Sequence, residues 1–138
     1  MKINGSCSCG SVRFFIEGQP TTMGTCHCSR CRKLGTSTIV FVKREQFALT
    51  KGEEFIETVL PQPPYKYVRS FCRNCGTSLG EPLSPDTSFP INAQCLDDDP
   101  VIRNSFFEFV SDLPAWLDLA TPDRGIEGRE PLSGVPQK

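Results

Sequence analysis

Seven of the chain's eight cysteines fall into three tight groups: Cys7 and Cys9 in C-S-C-G, Cys26, Cys28 and Cys31 in C-H-C-S-R-C, and Cys72 and Cys75 in C-R-N-C-G. Thiolates spaced C-x-C or C-x-x-C can converge on one metal ion from a single turn. The ligand count separates the groups. Two pairs make four thiolates, which close a tetrahedral zinc site and serve structure. Three thiolates leave a position open, where a substrate can bind and be activated. The competing reading is a disulfide framework, since eight is even. Cysteines one or two residues apart rarely bridge each other, because the ring is strained. A chain of 138 residues also builds a core without staples. The N-terminal M-K-I-N-G-S-C has no apolar stretch of the kind that directs secretion. The expectation is a reducing, cytoplasmic compartment that keeps thiolates available to metal.

The pairs Cys7/Cys9 and Cys72/Cys75 lie more than sixty residues apart, each followed by glycine (Gly10, Gly76). A zinc joining them would clip the N-terminal strand to the middle of the chain and contribute folding free energy directly. For the triplet, the fourth ligand could be a substrate thiol, water, His27 or Cys95. His27 stands between two ligands, so its side chain should point away and support the site from behind. A lone cysteine in an apolar stretch, such as Cys95, is more often a small core residue. Arg30, Arg32 and Lys33 crowd the same loop. They would offset the charge of three thiolates and could hold the carboxylates of an anionic ligand, or else form a solvated basic turn. A thiol at the open position would lose its proton and become the nucleophile. No base at the metal is strictly required; His27 and Asp97 are weak candidates for one.

The elements that must position these residues read as short strands. The composition, 11 Gly and 12 Pro with no long helical periodicity, favours a mostly β domain. Ser11–Glu17, Ser37–Val42, Phe47–Thr50, Phe55–Leu60, Tyr65–Phe71, Ser88–Cys95 and Phe106–Val110 are the candidate strands. Ser37–Val42 is apolar enough to be buried on both faces, and Pro90 makes Ser88–Cys95 less secure than Phe106–Val110. Pro20–Gly24 reads as a break, Pro61–Pro64 as a loop, and Leu113–Ala120 as one or two helical turns. Residues 118–138 read as a surface tail. With 15 Lys and Arg against 16 Asp and Glu, the charge excludes a nucleic-acid footprint. No apolar run approaches the roughly 20 residues of a membrane span. Oligomeric state is not legible.

C-H-C-S-R-C-R-K, taken with C-S-C-G upstream and F-C-R-N-C-G downstream, closely resembles the glutathione-dependent formaldehyde-activating enzyme family, also called the GFA or CENP-V domain family. The resemblance covers roughly residues 3–117 and extends to Thr77–Leu79, Leu96-Asp97 and Pro114–Trp116. It implies an Mss4-like fold, several small antiparallel sheets organised around zinc. It implies a structural zinc on Cys7, Cys9, Cys72 and Cys75 and a catalytic zinc on Cys26, Cys28 and Cys31. The implied activity is a carbon–sulfur lyase reaction: addition of glutathione to formaldehyde to give S-hydroxymethylglutathione, or the reverse. Cys95, where the family commonly has a small residue such as Gly or Thr, and the proline-rich 61–64 loop depart from its pattern. The alternative is a non-catalytic scaffold that binds glutathione or a protein partner. A thiol-dependent rate above the uncatalysed one separates the two.

Overall fold

The computed structural model of the protein describes residues 1–35 and 37–117; the expected tail over 118–138 lies outside them. Among these residues, ten strands form two sheets. The smaller has β1 (Lys2–Ser6), β2 (Arg13–Glu17) and β5 (Phe47–Lys51) in the order β1-β2-β5. The larger contains β3 (Thr22–Cys26), β4 (Thr38–Lys43), β6 (Ile56–Val59), β7 (Arg69–Cys72), β8 (Ser78–Gly80), β9 (Ser88–Asn92) and β10 (Phe106–Glu108), in the order β10-β3-β4-β9-β8-β7-β6. One short helix, α1 (Ser29–Lys33), carries the end of the cysteine triplet. The mostly β expectation holds. Every pairing is antiparallel except β10 with β3.

Alternation makes the core. Phe14 and Ile16 of β2 point inward, flanked by exposed Arg13 and Glu17 and half-buried Phe15, and Ile3 of β1 joins them. From the larger sheet come Val40, Val42, Leu79, Phe89 and Ile91. Phe47 links the two sets, 5.3 Å from the ring of Phe14 and 5.3 Å edge-on from Phe89. Burying each such side chain contributes roughly 1.5–3 kcal/mol.

Four local expectations are corrected. Pro20–Gly24 does not break the chain, because β3 begins at Thr22. Gly24 leaves room there for the Phe106 ring, which lies where a Cβ would project. β4 is buried on one face only: Val40 and Val42 enter the core, while Ile39 and Phe41 are half-buried on the other. The strand read at Tyr65–Phe71 starts at Arg69; the prolines before it cannot donate to a ladder, and Tyr65 instead closes a turn onto the Gln62 carbonyl at 2.9 Å. Val110–Asp112 forms a 3-10 turn and 114–117 a single reverse turn, while 118–120 of the expected helical turns lie outside the described residues. Pro90 does sit inside β9. Its carbonyl accepts the Glu81 N–H on the side where the ladder to β8 is reduced to Gly80 opposite Ile91, so its missing N–H is tolerated.

Candidate metal centres and the adjoining cavity

The two cysteine pairs meet at matching knuckles. In the first, the Gly10 N–H donates to the Cys7 carbonyl (3.0 Å) and Gly10 takes φ 77°. In the second, the Gly76 N–H donates to the Cys72 carbonyl (2.6 Å) and Gly76 takes φ 78°. Only glycine adopts that left-handed turn freely. The Ser8 N–H donates to Thr77 Oγ1 (3.0 Å) and Asn74 Nδ2 to Ser11 Oγ (3.1 Å), which locks one knuckle to the other. The four sulfurs lie within 4.8 Å of one another, with Cys7–Cys9 at 3.6 Å and Cys9–Cys72 at 3.9 Å. A tetrahedral zinc with Zn–S near 2.3 Å sets sulfurs about 3.8 Å apart, whereas a disulfide sets them about 2.05 Å apart. All eight cysteines are free thiols. The donor set therefore fits a closed tetrahedral metal site. At Cys75 burial acts to raise the thiol, but the hydroxyl and N–H of Thr77 outweigh it and pull it down to about 6. Burial pushes Cys72 up to about 11.

The triplet is built at the end of β3 and the start of α1. Cys26 ends the strand, and Cys28 caps the helix, its sulfur accepting the Cys31 N–H at 3.3 Å. The three sulfurs lie within 4.8 Å of one another, with Cys28 and Cys31 buried. No His, Asp or Glu among the described residues completes the group. Its chemistry fits a soft divalent ion with one position left for another ligand. Burial pushes Cys26 up to about 12, reinforced by hydrogen bonds to its neighbouring thiols. Burial also acts to raise Cys28, but the N–H groups of Cys31 and Arg30 and the adjacent thiols outweigh it and lower it.

Sequence reasoning missed Arg69. This side chain is 8 % exposed, and its guanidinium donates to Cys31 Sγ at 3.1 Å. Its Nε is buried without a partner among the described residues. It lies at the first residue of β7, three residues before Cys72, a spacing that says nothing about Cys31 until the sheet is formed. Arg69 and the triplet border a cavity of about 520 Å³. Its walls include Ile39 and Phe41 of β4, Pro90 of β9, Tyr65 and Tyr67 of the proline-rich loop, and Phe109.

The other candidate residues are distributed as follows. Arg30 lines this cavity, its guanidinium 5.1 Å from the Tyr65 ring centroid. Arg32 faces a smaller space of about 160 Å³ behind Cys26 and Cys31, and Lys33 lines neither. His27 also faces the smaller space, stacked 5.8 Å from Phe107, and is not grouped with the triplet sulfurs. Cys95 donates to the Ser78 carbonyl at 3.0 Å within the core cluster and belongs to neither metal group. Burial pushes its thiol up to about 12. Asp97 accepts from the Ser6 hydroxyl at 2.8 Å and ties down β1, so it lines neither cavity.

Fold and sites together define a two-sheet β domain with one four-thiol and one three-thiol group, the latter opening on a cavity. The family model for glutathione-dependent formaldehyde-activating enzyme matches residues 2–112, and the chain belongs to that family. A Halomonas elongata protein provisionally named as such an enzyme is 24% identical over 139 residues, covering 90% of this chain and 85% of that protein. A crystal structure of a Rhodobacter sphaeroides protein superposes with a TM-score of 0.59 at 20% identity, covering 75% of this chain and 98% of that one. It shares the fold. No helix among the described residues is long and apolar enough to cross a membrane.

Proposed function

We propose that one domain over residues 3–117 carries two zinc ions and adds a glutathione-like thiol to a small aldehyde, giving an S-hydroxymethyl adduct, or runs the reverse, carbon–sulfur lyase, reaction. The observation that carries this reading is the convergence of three sulfurs on the wall of a 520 Å³ cavity with no fourth protein ligand among the described residues. Cys7, Cys9, Cys72 and Cys75 would hold the structural zinc. Cys26, Cys28 and Cys31 would hold the catalytic one, which when bound lowers the proton affinity of a coordinating thiol and keeps it as thiolate.

The chain's own residues do the rest. Arg69 donates to Cys31 Sγ and offsets the negative charge that three thiolates accumulate. The Cys31 N–H fixes Cys28 Sγ. Arg30 and Lys66 are positive and Glu108 and Asp112 negative around the same cavity. That mixture suits a thiol bearing both carboxylates and an ammonium group. The apolar walls limit water beside the reacting carbon. Addition makes one C–S bond, moves the carbonyl π electrons to oxygen, and returns a proton from solvent in place of the one the thiol released. Zinc-loaded protein should form the glutathione–formaldehyde adduct faster than the uncatalysed mixture, and Cys28→Ser should abolish the excess rate. An excess rate that survives in Cys28→Ser would remove the triplet from catalysis.

A further inference from the structure

The cavity beside the triplet must take both the thiol and its carbonyl partner, and its charged residues account for the thiol half. The rest of its lining is apolar, which neither a one-carbon aldehyde nor the charged ends of a tripeptide would use. Ile39, Phe41 and Pro90 form an apolar floor, with Phe41 directly opposite Pro90 in the β4–β9 register. Three aromatic side chains stand at its sides: Tyr65, Tyr67 and Phe109, of which Tyr67 is 61% and Phe109 60% exposed. Exposed rings around an apolar concavity gain burial when a ligand fills it.

Phe109 adds an independent observation. It has φ 56° and ψ 41°, the single non-glycine residue with positive φ among the described residues. A bulky side chain in the left-handed region is strained, and such residues cluster at ligand clamps. The residue follows β10, whose parallel pairing sets Glu108 opposite Cys26 of the triplet. The strained turn therefore puts an aromatic ring on the cavity wall next to the thiolates rather than leaving the position to glycine.

We propose that the carbonyl partner of this site carries a ring or a branched apolar group, held between the Ile39–Phe41–Pro90 floor and the rings of Tyr65, Tyr67 and Phe109. This rests on the thiol-addition reading above and replaces its one-carbon aldehyde with a larger one, so that the adduct carries a substituted hydroxymethyl group on sulfur. The thiol half keeps the charged rim of Arg30, Lys66, Glu108 and Asp112, and the apolar half of the adduct occupies the walls. The bond changes are those of simple addition: one C–S bond forms, the carbonyl becomes a hydroxyl, and no redox partner is needed.

S-benzylglutathione and S-methylglutathione imitate the ring-bearing and one-carbon adducts without reacting. Calorimetric titration of the zinc-loaded protein should find the benzyl thioether at least ~10-fold tighter than the methyl one. Phe109→Asn removes the ring while keeping a residue that tolerates the left-handed turn, and it should cut that preference about tenfold, as should Tyr67→Ser. Circular dichroism checks that both variants fold. Equal affinity for the two thioethers would overturn the proposal, and an excess rate with formaldehyde in the same sample would leave the thiol-addition reading standing. Tight binding of phenylmethanethiol with no preference between the thioethers would place the ring on the thiol instead and equally overturn it. Binding of neither thioether, with no excess rate for any aldehyde, would remove both readings.

Discussion

At the residue scale, the difference between the two thiol groups lies in what surrounds them. The Cys7–Cys75 group has four sulfurs and is tied together by its own knuckles, with Cys9 and Cys75 exposed. The triplet has three and leans on a cation from another strand. Arg69 reaches Cys31 Sγ with one nitrogen while its buried Nε has no partner among the described residues. Partners that orient metal ligands typically change metal affinity 10–100-fold when lost. Arg69→Met should therefore weaken zinc at the triplet by about that factor and leave the four-thiol site loaded. Competition with a chromophoric chelator reads both sites at once. Arg69→Lys should restore little, because an ammonium lacks the planar fork. Unchanged affinity in Arg69→Met would reduce Arg69 to a packing residue. The cysteine groups were legible in the sequence because ligand spacing is local. Arg69 was not, because its contact spans 38 residues and depends on where β7 lies. The basic run 30–33 was only partly legible: helical turning sends Arg30 to the large cavity and Arg32 to the space behind it.

At the element scale, the cavity exists because β4 has two different faces and β9 lies beside it. Alternation explains both, yet the apolar run Ser37–Val42 alone could not distinguish a fully buried strand from one with a cavity face. β3 was missed for a related reason: Gly24 looked like punctuation, but it is where Phe106 of β10 crosses closely. β8 is a further close approach. Gly80 has φ 84°, and a Cβ there would lie 2.7 Å from the Pro90 carbonyl oxygen and 2.9 Å from the Ile91 Cα. Both neighbours are backbone and cannot swing away. Gly80→Ala should lower stability by about 1–3 kcal/mol and disturb Pro90 at the cavity floor. Urea unfolding measures the first effect and thioether binding the second. A variant as stable as wild type would show that β8 and β9 can separate at no cost.

At the scale of the whole molecule, two sheets share one core, and the four-thiol site ties the end of β1 to the end of β7 across 63 residues between Cys9 and Cys72. A metal that joins distant segments contributes its binding free energy to folding. Cys72→Ser, or prolonged chelation of wild type, should therefore lower the melting temperature sharply. Cys28→Ser acts within one loop and should leave it nearly unchanged. The mostly β class and the family were legible at this scale from three cysteine motifs in order. The seven-stranded sheet and its parallel edge pair were not, because strand order is set by long-range pairing that local patterns do not encode.

The division of labour between the two thiol groups is tested most directly by zinc content per folded chain in Cys28→Ser, measured by elemental analysis after zinc loading under reducing conditions. The account predicts two zinc ions in wild type, and one in a Cys28→Ser protein that melts like wild type and has lost its excess thiol-addition rate. Two ions in the folded variant, or one in fully loaded wild type, would contradict it.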